Sequence, residues 1–239
     1  MRTVAERLRR LRSRALRDPS VTFPSWIPDD VVDGAGLLRA FRALPPEARA
    51  ANAFDLARLG LRAALPDLLE ILRSGPSYVE PAKAVQVFLR DTDMPHLLAI
   101  LEAASSAHQR QMVIYSMMSP RLRPHSSATA LLLRIAGDQR QDVVVRGQAL
   151  EALDFHRPRG KQARSAAEAV VLAGLDDPDL EVAYNAAWAA GALRLRGARG
   201  RLIQLEMSDD RVYRGLHSLA EAAREARAEI DGEGPAHVA

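Results

Sequence analysis

The clearest pattern of apolar and polar positions in the chain lies at 176–193, DDPDLEVAYNAAWAAGAL. Val182, Ala186, Ala189, Ala190 and Leu193 fall at i, i+4, i+7, i+8 and i+11, a single stripe on a helix. Asp176, Asp177 and Pro178 make the turn before it, and Asp179 supplies a carboxylate at the positive end of the helix dipole. A stripe of alanine lets another helix come close, which suits helices stacked in layers. The preceding SAAEAVVLAGL (165–175) predicts the antiparallel partner.

The unit has echoes. Val145, Arg146, Ala149, Ala152 and Leu153 match Val182, Ala183, Ala186, Ala189 and Ala190 at an offset of 37. An offset of 36 in the same direction reaches Gln109, Arg110, Val113, Ser116 and Met117, and 30 residues forward lie Val212, Tyr213, Leu216, Leu219 and Ala220. PDLLEIL at 66–72 lines up with PHLLAIL at 95–101. Offsets of this size between helical pairs, none able to bury its apolar face alone, predict an all-α fold, an α-solenoid (superhelix) of about five to six pairs. The pattern predicts pairs at 35–44 with 46–59, 64–73 with 78–90, 95–104 with 107–118, 125–136 with 142–155, 163–175 with 179–194, and 199–206 with 211–230. Turn residues separate them, among them Gly75-Pro76, Ser119-Pro120 and Asp209-Asp210.

DPDLEVAYNAAWAAGAL resembles the HEAT-like repeats of the phycobilisome-lyase type, whose second helix reads V-R-x-x-A-A-x-A-L. The likeness is good at 142–155 and 178–193 and fainter over the rest of 63–230. It implies a fold more than a function. In that family the second helices line a concave surface, and the same arrangement is expected here.

Around this solenoid, at 35–230, the sequence places three other segments. Residues 1–17 hold an Arg-rich amphipathic helix with Val4, Leu8, Leu11 and Ala15 on one face, read chiefly as a cap on the first repeat. Residues 18–34 form a Pro-rich loop that Phe23 and Trp26 pin to the stack, and 231–239 read as a disordered tail.

Composition narrows the function classes. There is no cysteine, which removes thiol nucleophiles, disulfide frameworks and Cys-built zinc sites. Basic residues number 33 and acidic 30; residues 1–20 carry seven Arg against Glu6 and Asp18, so the remainder is 3 − 5 = −2. A near-neutral solenoid lacks the general positive field of a nucleic-acid surface. No run approaches the ~20 apolar residues of a transmembrane segment. The basic N-terminus lacks the apolar core of a signal peptide, and the chain is read as cytoplasmic.

Catalytic motifs are missing too. The six histidines show no pair at helical ligand spacing, and there is no HExxH, phosphate-binding loop or GxSxG. The glycines of RLRGARGR (194–201) read as helix C-caps. One HEAT-repeat family, the deoxyhypusine hydroxylases, holds iron on His-Glu dipeptides, and no histidine here precedes Glu. No catalytic residue, metal site or cofactor is assigned.

What remains is the face of the second helices. The repeat offsets stack Tyr115, Glu151 and Trp188; one turn earlier they stack Gln111, Gly147 and Tyr184, with Met112, Gln148 and Asn185 beside them. Arg214 and His217, a turn apart on the last helix, extend the strip, and Gly147 would leave room for a ligand group. Tyr184 and Trp188 either fill a packing ridge or act as recognition anchors, since Tyr and Trp offer large rigid contact area. The leading expectation is a non-catalytic scaffold holding a protein or peptide in its concave groove. Nucleic-acid binding, including HEAT-like DNA glycosylase activity, and a lyase-like chaperone for protein modification are the alternatives.

Overall fold

The computed structural model describes residues 2–18, 20–74, 79–215 and 217–232. Among them are an N-terminal helix, α1 (Val4–Ala15), and six helical pairs. The pairs are α2 (Gly34–Ala43) with α3 (Pro46–Leu59), α4 (Leu65–Ser74) with α5 (Val79–Phe88), and α6 (Met94–Ala103) with α7 (Ala107–Met117). Then follow α8 (Ser126–Gly137) with α9 (Val143–Ala152), α10 (Lys161–Leu175) with α11 (Leu180–Ala192), and α12 (Arg199–Ser208) with α13 (Leu219–Asp231). The fold is an all-α solenoid of helical pairs, as the repeat offsets predict. The turn expected at Gly75-Pro76, the repeat position Leu216 and residues 233–239 of the expected tail lie outside the described residues. No described helix is long and apolar enough to cross a membrane. The chain divides into two compact units, Met1–Leu89 and Arg90–Ala239.

In the first unit α1 begins with a capping box, in which Thr3 and Glu6 each accept from the other's backbone N–H. It packs on α3, with Leu8 1% exposed. The rest of its apolar face is less covered, and Leu16 just beyond it is 89% exposed. Arg12 donates to the carbonyl of Pro28 at 2.8 Å and lies over the Phe23 ring, tying the helix to the Pro-rich loop. Trp26 anchors that loop, its indole N–H donating to Asp55 at 3.0 Å and its ring meeting the fully buried Phe41 edge-on. A half-buried indole with its polar tip satisfied holds such a segment without an unpaired donor.

The second unit is two layers deep. First helices α6, α8, α10 and α12 pack in sequence, and second helices α7, α9, α11 and α13 pack in sequence beside them. Val182, Ala186, Ala189 and Ala190 are all within 1% of full burial, as are Val145, Ala149 and Ala152. Small residues set the layer spacing: a Cβ on Gly174 would come to 2.9 Å from that of Ala186, and one on Gly191 to 2.8 Å from the backbone of Ala226. Alanine hides little area, so the seam gains from dense dispersion contact more than from bulk.

A buried ion pair links successive repeats. Arg146, 5% exposed, occupies the core-row position of Ala183 and pairs with Asp177 in the following turn. One repeat earlier Arg110 donates to Gln141 at 2.7 Å in the same way. Burial opposes ionisation of Asp177, but hydrogen bonds from Arg146 and the Asp179 amide outweigh it and hold the carboxyl below its ordinary range. Asp177 therefore has two tasks, closing the turn and receiving the previous helix.

The last repeat departs from the expected helix over 211–230. Two short strands, β1 (Val212–Tyr213) and β2 (His217–Ser218), pair antiparallel as a hairpin, and α13 starts at Leu219 behind a Ser218–Glu221 capping box. Two successive residues with positive φ, Arg214 (49°) and Gly215 (70°), cannot belong to a right-handed helix. Val-Tyr before Arg-Gly is strand-then-turn chemistry, and the helical spacing of Val212 and Leu219 is coincidental.

Candidate functional site on the second-helix face

The predicted strip is divided by burial. Trp188 is 39% exposed, one of few large apolar side chains that open to solvent. Gln111, Tyr115, Glu151 and Tyr184 are half-buried. Gln148 and Asn185, expected on the open surface, are 8% and 6% exposed, because each second helix is flanked by neighbours on both sides. Gln148 donates to Glu151 at 2.6 Å and contacts the Met118 sulfur, and Asn185 donates to the carbonyl of Glu181 at 2.8 Å. They are structural amides. The space expected beside Gly147 is also taken: a Cβ there would meet Glu181 Cγ at 2.9 Å and Asn185 Nδ2 at 3.0 Å. This glycine admits α11 rather than a ligand.

The hairpin alters the far end of the strip. Arg214 and His217 sit on opposite sides of a turn, not one helical turn apart. Arg214 reaches back to α11, its Nη2 lying 2.9 and 3.1 Å from the two carboxylate oxygens of Glu181. His217 faces α13, with Nδ1 3.9 Å from Glu221 Oε2. The structure thus ties Arg214 to Glu181 of α11, within electrostatic reach of Glu151, and sends His217 to α13.

Two residues that the periodicity does not single out organise this end. Tyr213 stacks on Tyr184 with ring centroids 4.3 Å apart and planes at 24°. Its hydroxyl donates to Glu181 Oε1 at 2.9 Å, and the Arg214 guanidinium lies 5.1 Å from its ring centroid. Burial, then the bond to Glu181, pushes the Tyr213 phenol up to about 12. It is a fixed donor at neutral pH. Glu181 therefore binds α11 to the hairpin, and the Val-Tyr-Arg-Gly run is the signal that could have found it. Burial also pushes the Glu151 carboxyl above its ordinary range, against the pull of Gln148 and Arg214, while nearby Glu181 adds to the rise. No group of three His, Cys, Asp or Glu among the described residues is arranged to hold a metal ion.

These elements share one face of the second helices. It carries a part-exposed indole, two stacked phenol rings, and a carboxylate and a guanidinium paired with each other. Such a face can bind through ring area and a few directed hydrogen bonds.

Among solved structures, the chain is similar to an engineered protein whose crystal structure came from the Northeast Structural Genomics Consortium. That match has 17% identity and a TM-score of 0.50, and covers 84% of this chain and 97% of that one. The chain is a helical repeat protein. A designed armadillo repeat protein matches at 14% identity with a TM-score of 0.46, over 95% of this chain and 99% of that one. No family model matches, and neither does any curated protein. At such identities the likeness bears on the fold alone.

Proposed function

We propose that this helical repeat protein is a non-catalytic, HEAT-like scaffold that holds a protein or peptide segment on the second-helix face of its second unit. The observation that carries the reading is Trp188, a large ring left 39% exposed one turn beyond the half-buried Tyr184 on a helix that buries most of its apolar residues. A solvent-facing indole framed by packed neighbours has the form of a binding anchor, and truncating such an anchor commonly costs ≥2 kcal/mol of binding. The HEAT-like assignment draws support from the second-helix pattern and from Arg146, the arginine of that pattern, reaching the turn of the next repeat. Gln111, Tyr115, Tyr184 and Arg214 surround the anchor in this reading, with Glu151 as a hydrogen-bond acceptor. Gln148 and Asn185 support the face from beneath.

The test is quantitative co-purification of tagged full-length chain, comparing wild type with Trp188→Ala. A partner whose recovery falls at least tenfold in the variant supports the reading. If every co-purifying protein is recovered equally with both chains, the second-helix face is not the binding surface.

A further inference from the structure

The two edges of the second unit, where its helices end, differ in charge. Turns within a pair (138–142, 176–179 and 209–218) hold seven aspartates against Arg140, Arg211 and Arg214, and Arg146 and Arg201 reach in from the helices to pair with Asp177 and Asp176. Connections between pairs (118–125, 153–160 and 193–198) hold six arginines against Asp154. Because paired helices are antiparallel, the first set gathers at one edge and the second at the other. The near-zero net charge of the solenoid conceals this separation.

At the arginine edge, charge is only partly matched. Arg157 pairs with Asp154 at 2.7 Å and Arg123 lies 3.8 Å from Asp91. Among the described residues no carboxylate pairs with Arg159, Lys161, Arg164, Arg194 or Arg196. Two hollows of about 410 and 790 Å³ open here; Arg157 lines the smaller, Lys161 and Arg196 line the larger, and Arg164, Arg194 and Leu195 line both, with Arg159 just outside them on the same connection as Arg157. Glu168, which lines the larger hollow, accepts from the Gly197 N–H at 3.0 Å. Pro158, Ala167, Ala192 and Leu193 give the smaller one an aliphatic floor.

The frame around the hollows is fixed. His156, 0% exposed, donates from Nε2 to the Met117 carbonyl at 3.1 Å, and Thr129 donates to the His156 carbonyl at 2.9 Å, anchoring the loop that carries Arg157 and Arg159. On the other side Arg194 closes α11 with φ at 51°, its N–H bonded to Gly191 and that of Leu195 to Ala190. Gly60 fills the equivalent place after α3, with φ at 75°. An arginine is thus held in a conformation that ordinarily favours glycine, and its side chain lines both hollows.

The geometry points to a binding site for an acidic, aliphatic-rich segment of another polypeptide along this arginine edge. Guanidinium forks suit carboxylates, and the aliphatic floor suits the intervening side chains. No aromatic ring lines either hollow, so bases of a single-stranded nucleic acid would find no stacking platform. The site is separate from the second-helix face and does not depend on Trp188.

Fluorescence anisotropy with the full chain tests the assignment. The probes are a short labelled peptide alternating Glu and Leu, its Lys-Leu counterpart, and an oligothymidylate of matching charge. The Glu-Leu peptide should bind at low salt, weaken as salt rises, and lose affinity about tenfold or more in Arg159→Glu/Arg196→Glu. Both arginines are exposed and pair with no carboxylate among the described residues, and circular dichroism checks that the variant is folded. Trp188→Ala should leave peptide binding unchanged. Absence of binding at low salt, indifference to the charge reversal, loss of binding in Trp188→Ala, or tighter binding of the oligothymidylate would each overturn the proposal. Failure of the second-helix reading leaves these outcomes unaffected.

Discussion

Arg194 shows how one side chain can bear a local cost. A non-glycine residue in the left-handed region gives up roughly 1–2 kcal/mol, and Arg194 makes the same helix-ending bonds that Gly60 makes without that penalty. Arg194→Gly is expected to raise the unfolding free energy by about 1 kcal/mol in urea titration while weakening binding of acidic peptide. Glu151 carries a pH-dependent cost of another kind. Its proton affinity is higher folded than unfolded, so it favours folding more at low pH and opposes it increasingly as pH rises through the carboxylate range. Glu151→Gln retains an acceptor for Gln148 and should be more stable than wild type at pH 7, the difference disappearing once pH falls below the ordinary 4.5. Trp188 offers a direct optical check. In Trp26→Phe, the remaining indole, 39% exposed, should be quenched by acrylamide; full protection from the quencher would contradict its exposure.

Among the elements, α9 and α11 show both what periodicity reveals and where it stops. The alanine and valine rows at 145–152 and 182–190 predicted two adjacent helices, and those rows form the seam. Periodicity could not reveal that Gln148 and Asn185, one step from the row, are enclosed as well, because that depends on neighbours at both flanks. Nor could it disclose that Gly147 is a point of close approach. Gly147→Val should destabilise by about 1–3 kcal/mol in chemical denaturation, since the new Cβ would meet the Glu181 side chain at 2.9 Å and its backbone oxygen at 3.2 Å. Arg146 stands in a core row, and only its distant partner explains its burial. Removing that partner in Asp177→Ala leaves a buried guanidinium unmatched and should cost about 3–5 kcal/mol, with Arg146→Met/Asp177→Leu recovering much of the loss. At 211–218 the periodic match was spurious. Local turn chemistry, in Arg214-Gly215, outweighed a pattern shared with the true repeats.

At the scale of the whole chain, each layer of the second unit depends on the next one for cover. α13 lies along α11, with Ala226 against Gly191, and packs on α12. Ending the chain at Ser208 would uncover the α11 row, and light scattering of the truncated protein should detect self-association absent from the full chain. The aromatic face, the arginine edge and the aspartate edge were unequally visible in the sequence. Ring positions stack at the repeat offset, whereas the edges emerge only when turns are sorted by which end of the helices they join. The consequence of that sorting is an electric moment running along the helix axes of the second unit, from the turns within pairs to those between them. A negatively charged partner diffusing nearby would rotate this unit until its arginine end leads. The indole face, which lies along the helices and so at right angles to that axis, would then remain turned aside and open to a second visitor.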